Sequence, residues 1–190
     1  DKIVKTDSGK RLIENIDKVH NADFSVIVYN FLDILSHART ETQIIRDLAE
    51  DEAAFRSLTR SWFEHSDLLE LMRLLAERGH TIIITSDHGT IQVDNPVRVQ
   101  GDRATSSNLR YKTGRNLGFN QKEVFAITKP ELAHLPKSNI TSTYIFAYNR
   151  DFFVYPNNTN QFVRYYNNTF QHGGISMEEM IVPFLVLKPR

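Results

Sequence analysis

Cysteine is absent from all 190 residues, which excludes disulfide staples and thiolate metal sites and leaves imidazole and carboxylate as the strong metal ligands. An excess of charge of either sign is also lacking. Lys and Arg number 23, as do Asp and Glu, so no global field favours a nucleic-acid backbone or an anionic membrane. Any polyanion must be met locally. Long apolar runs are missing too: Thr81–Thr85 and Ile181–Leu187 fall far short of the roughly 20 residues that span a bilayer. No charged start followed by an apolar stretch marks a secretion signal. A soluble, cytoplasmic protein is the expectation. With 41% apolar and 24% charged residues, the chain has the balance of a single globular domain with a real core. It begins with Asp1 rather than Met and reads as a segment of something longer.

What is present alternates between helix and strand patterns. After Ser8-Gly9 a short helix is expected over Arg11–Val19, and the β-branched and aromatic run Phe24–Tyr29 predicts a buried strand. From Thr40 to Arg78, Ile44, Ile45, Leu48, Phe55, Leu58, Trp62 and Phe63 recur at spacings of three and four. Leu68 to Leu75 follow an N-cap at Ser66, with Gly79 as the stop. One or two long helices result, with Trp62 and His65 as packing residues. His80–Thr85 is a continuous apolar run, the pattern of a parallel-sheet strand buried on both faces. Strand, helix, strand makes a crossover, so the expected fold class is α/β, a mostly parallel sheet with helices on both faces. Asp94–Gln121 has little periodicity and holds Gly101, Gly114 and Gly118, which predicts a long surface loop. Strands are expected at Glu123–Thr128, Thr143–Tyr148, Asp151–Tyr155 and Pro183–Lys188, with a short helix at Ser176–Met180 and no element in the Asn-rich stretch 157–168.

Three clusters of metal-ligating types stand at strand ends, where α/β sheets build their sites. Asp33 and His37 are four residues apart, on one face of any helical turn. Asp87-His88 directly follows a strand, with Gly89 allowing a sharp turn. His172 precedes Gly173-Gly174, which lets backbone fold close behind a ligand. Taken singly, an Asp-x-x-x-His is more often a surface pair, an Asp-His a turn or cap, and a lone His a satisfied side chain. Their joint occurrence at strand ends changes that balance.

In this order the clusters resemble the alkaline phosphatase superfamily: a strand with Asp and a spaced His, a strand with Asp-His-Gly, and a late His. The stretch from His172 to Pro183 is similar to the family's final segment, and the three motifs together span residues 24–188. The closer resemblance is to the PglZ branch, in particular the output domain of PorX-type response regulators linked to type IX secretion. The resemblance implies that Asp33, His37 and His172 bind one metal, and Asp87 and His88 a second. It also implies an earlier carboxylate ligand and a Ser or Thr nucleophile. Neither is matched: Asp23, Ser25 and Thr6-Asp7-Ser8 do not follow a strand early enough. The expectation is therefore a C-terminal portion whose nucleophile, and a receiver domain, lie upstream, and which is inactive in isolation.

Nitrogen and oxygen ligands without sulfur suit Zn²⁺ first and Mn²⁺ second. Two such cations neutralise charge, activate a nucleophile and stabilise a leaving oxygen in phosphate-ester hydrolysis. Between Val97 and Arg115 the cations Arg98, Arg103, Arg110, Lys112 and Arg115 face a single acid, Asp102. Of these, Arg103, Arg110, Lys112 and Arg115 are the candidate phosphate binders, with Tyr111 placed to stack on a base. A solvated basic loop is the alternative. The expected function is metal-dependent hydrolysis of phosphodiesters or nucleotide-like esters, with a phosphorylated small molecule or oligonucleotide as substrate. Regulatory proteins and a second copy of the chain are the candidate partners. The competing function is a non-catalytic metal- or nucleotide-binding regulatory module; a sulfatase or phosphate mutase is a weaker option within the superfamily.

Overall fold

A computed structural model describes residues 2–3, 6–101, 105–137 and 139–189. The elements run β1 (Lys2–Ile3), α1 (Thr6–Glu14), α2 (Ile16–His20), β2 (Val28–Tyr29), α3 (Phe31–Glu41), α4 (Gln43–Leu48), α5 (Glu52–Glu64), α6 (Asp67–Glu77) and β3 (Ile82–Thr85). They continue with β4 (Ile91–Val93), β5 (Asn95–Arg98), β6 (Tyr111–Arg115), β7 (Val124–Ile127), β8 (Ser142–Ala147) and β9 (Asp151–Val154). Last come α7 (Thr159–Tyr166), β10 (Thr169–Gln171), α8 (Met177–Met180) and β11 (Phe184–Leu187). Contacts divide the chain into two compact units, Asp1–Thr85 with Pro183–Arg190, and Ser86–Val182. Among the described residues no helix is long and apolar enough to cross a membrane.

The α/β class holds, with parallel pairing of modest extent: β1–β2 and β5–β9 are parallel, whereas β3–β11, β4–β10 and the sheet β6–β8–β7 are antiparallel.

In the first unit, Leu12, Ile16 and Val19 recur at helical spacing and bury against Leu71 and Leu75 of α6. Ser66 caps α6 by accepting from Leu69 N at 3.4 Å. Gly79, at φ +83°, ends it; His80 N donates back to Leu75 O at 3.0 Å, a six-to-one closure that a left-handed residue permits. The one or two long helices expected from Thr40 resolve into α4, α5 and α6 behind the end of α3. Trp62 packs flat on Phe31, with centroids 4.1 Å apart and planes 3° off parallel. His65 closes α5 through Nδ1 and the Ser61 carbonyl at 2.8 Å.

Two strand expectations are corrected. Phe24–Tyr29 is strand only at Val28–Tyr29, and Phe24 is 81% exposed; among the described residues the β1–β2 ladder pairs Lys2 with Val28 and Ile3 with Tyr29 and does not reach Phe24. Along β3, part-buried and exposed residues alternate. Its paired neighbour is antiparallel β11, itself exposed.

The second unit holds two apolar clusters. One joins Val97, Val99, Val124, Ile145, Ala147 and Phe153; the other joins Ile91, Val93, Leu109, Phe152 and Val154, with Phe162, Val163 and Tyr166 of α7 packed on it. The expected loop Asp94–Gln121 therefore contains β5, β6 and core residues. The Asn-rich stretch contains α7.

Candidate functional site

In the first unit, Ile34 N donates to Asn30 O at 3.0 Å as α3 begins. Asp33 thus sits in the first helical turn, where the helix dipole favours a carboxylate. The backbone of His37 follows one turn later in the same helix; its side chain lies outside the described ones.

In the second unit, the chain leaves Ser86 and presents Asp87, whose side chain is 91% exposed, and His88, 32% exposed. Far along the chain, β10 delivers His172. The His88 and His172 rings lie face to face, 3.9 Å between centroids and 8° from parallel. His88 Nδ1 is 3.0 Å from Gly89 O. A carbonyl only accepts, so Nδ1 is the donor in this contact, and Nε2 is the atom that offers a lone pair in the neutral ring. That nitrogen is 3.8 Å from Asp87 Oδ1, close enough for the two to share a positive centre. Imidazole and carboxylate donors without thiolate are the chemistry of borderline divalent cations.

The turns that carry these histidines need their glycines. Gly173 adopts φ +100°, and a Cβ there would stand 2.7 Å from Asn108 Nδ2. At Gly89 a Cβ would run into the backbone carbonyl of Glu178.

Two organising residues escaped the sequence-based assignment. Glu179 completes a capping box with Ser176 at the start of α8, a Ser-x-x-Glu pattern visible in the sequence. It also pairs with Arg110. Burial alone would raise the Glu179 carboxyl, but the Arg110 hydrogen bonds and charge, with the Gly174 amide and Ser176, outweigh it and hold it below its ordinary value. Asn108 lies in the turn before β6, and its Nδ2 donates to His172 O at 3.1 Å; nothing in its local sequence marks it.

The proposed phosphate binders separate. Arg110 is fully buried and committed to Glu179, and donates as well to the carbonyls of Tyr148 and Asp151. Lys112 is also fully buried. Its Nζ donates to Ser106 O at 2.9 Å and lies 4.9 Å from the Tyr155 ring centroid, and burial lowers its pKa to about 8. Both are thereby corrected from surface phosphate contacts to interior groups: Lys112 lies on the buried face of β6, and Arg110, just before that strand, is turned inward to Glu179. Arg115, at the end of β6, is exposed, and Arg103 lies outside the described residues.

Compared with protein families, residues 1–187 match the BREX system PglZ alkaline phosphatase-like domain. No curated protein matches significantly.

Proposed function

From the premise that the chain belongs to the BREX system PglZ alkaline phosphatase-like family, we propose that it hydrolyses phosphate esters with two divalent cations, zinc ahead of manganese. Membership points to phosphoester chemistry and divalent cations in general. The finer assignment is Asp33, His37 and His172 for one cation, and Asp87 and His88 for the other. The observation that carries the proposal is the parallel contact of the His88 and His172 rings. Their centroids are 3.9 Å apart, so two imidazoles from distant parts of the chain stand together where divalent cations would need nitrogen donors.

When bound, such a cation pair supplies charge neutralisation and activation of the attacking oxygen. The chain's own part is to hold imidazole lone pairs in place, with the His88 tautomer set by Gly89 O, and to offer Arg115 to phosphate oxygens. Phosphodiesters and nucleotide-like esters are the proposed substrates. An output role in a cytoplasmic response regulator controlling secretion is the proposed setting, on the PorX resemblance.

Calorimetric zinc titration tests the ligand set. Two equivalents are expected to bind, and His88→Ala or His172→Ala should weaken binding by about a hundredfold or more. In turnover of bis-nitrophenyl phosphate by the protein carrying this chain, chelator should abolish activity. Full activity in the His88→Ala, His172→Ala double variant would refute the proposal, and tight zinc binding without turnover would favour the regulatory module.

A further inference from the structure

The loops bearing His88 and His172 are far apart in sequence, yet both are tied to one residue. Glu179 O accepts from Gly89 N at 2.8 Å, beside His88. The Glu179 carboxylate accepts from Gly174 N at 2.8 Å and Ser176 N at 3.2 Å, just past His172. Arg110 grips the same carboxylate with Nε to Oε1 at 2.9 Å and Nη2 to Oε2 at 2.8 Å. The two side chains are 0% and 1% exposed. Asn108 completes the set: Nδ2 holds His172 O at 3.1 Å, while Oδ1 accepts from Arg110 N at 2.7 Å and Tyr111 N at 3.1 Å.

Burying an ion pair is a poor route to stability, since desolvation costs several kcal/mol per ion and well-packed apolar substitutes often do as well or better. A pair this deep makes sense where it fixes geometry. Here its spare lone pairs end on the backbone of the His172 loop, and its own carbonyl on the His88 loop. We infer that Glu179, with Arg110 and Asn108, is a positioning assembly that sets the His88 and His172 rings against each other. It works through backbone, as outer partners orient metal ligands. As a statement about cation binding it rests on the proposed ligand roles; as a statement about ring placement it does not.

The test uses two variants. Arg110→Met with Glu179→Met removes both charges together, so no orphan ion is left and the fold should persist, at a lower melting temperature because the Gly174, Ser176, Tyr148 and Asp151 backbone bonds go with them. Asn108→Ala leaves the ion pair intact. Proton NMR of the metal-free chain should show a nuclear Overhauser contact between the His88 and His172 rings, lost in both variants. Zinc affinity should fall by about 10–100-fold in each, with far-UV circular dichroism unchanged. A ring contact that survives both variants, with zinc affinity within about twofold of the parent, would overturn the inference. If the parent binds no zinc but its ring contact vanishes in the variants, the cation assignment fails and the positioning role stands. Should the double methionine variant not fold, Asn108→Ala decides alone.

Discussion

Lys112 offers a quantitative test of the interior of the second unit. Its ammonium is fully buried, with the Ser106 carbonyl as a partner and the face of Tyr155 nearby, and burial lowers its pKa to about 8. In the unfolded chain the value is about 10.4. Below the native pKa both states are protonated, and burial of the charge costs stability. As pH rises above about 8 the native state releases its proton first, so the unfolded state binds more protons and stability increases with pH. At about 1.36 kcal/mol per pKa unit the full effect is about 3 kcal/mol. About 2 kcal/mol of it falls between about pH 7 and about pH 9.5, before tyrosines titrate. Tyr29 and Tyr166, whose pKa values are raised by burial, act in the opposite direction only above that window. Urea unfolding followed by tyrosine near-UV circular dichroism is the assay. Trp62 lies in the first unit, whereas six of the seven tyrosines lie in the second. Lys112→Met should flatten the rise. A parent protein whose stability does not increase from neutral to pH 9.5, or a variant that keeps the increase, would refute a buried, charge-penalised Lys112.

The remaining outcomes address the ligand turns and the first unit. Gly89→Ala keeps every ligand but forces Cβ against the Glu178 carbonyl; zinc affinity should fall by about tenfold or more, measured by calorimetry. Gly79→Ala, at φ +83° with open space around it, should cost about 1 kcal/mol in urea unfolding and leave zinc binding alone. Trp62→Ala removes the ring stacked on Phe31 and should destabilise the first unit by about 2 kcal/mol, read from its thermal melt. Glu179 titrates below its ordinary value, so its contribution is present above the unfolded glutamate pKa of about 4.3 and lost as pH falls through the lower native value. The Arg110→Met, Glu179→Met variant should lose that part of the acid limb.

The elements whose signals are local were legible. Ser66 and Gly79 bracket α6 as their residue types require. β7, β8 and β9 fall within a residue or so of their expected bounds, and α8 follows its capping box. The elements that failed depend on distant partners. β5 contains Pro96 and β6 contains Gly114, residues that argue against strand, yet β5 is set by pairing with β9, Asn95 against Asp151. α7 is flanked by Asn157, Asn158, Asn167 and Asn168, but Phe162, Val163 and Tyr166 find an apolar cluster to cover, and packing overrides propensity. Arg110 and Lys112 read as surface residues because charged side chains are almost never fully buried without a partner. For Arg110 that partner is Glu179, 69 residues away.

The same contrast explains why the histidines could be proposed as ligands from sequence while the groups that hold their loops could not. Residue type marks a metal ligand, because few side chains offer the donor atom. Holding a ligand loop requires only amides and carbonyls, which every residue has. The trace such anchoring leaves is indirect, in the small residues that let two backbones meet. His88 and His172 are each followed by glycine, and in both places the missing side chain is where another segment passes: the Glu178 carbonyl at Gly89, the Asn108 amide at Gly173, and the Glu179 carboxylate, 2.6 Å from a Cβ, at Gly174. Two of those three intruders lie on α8, so one short helix packs against the turns that carry both histidines. That helix needs a rigid backing, and Glu179, paired with Arg110 just before β6, provides it.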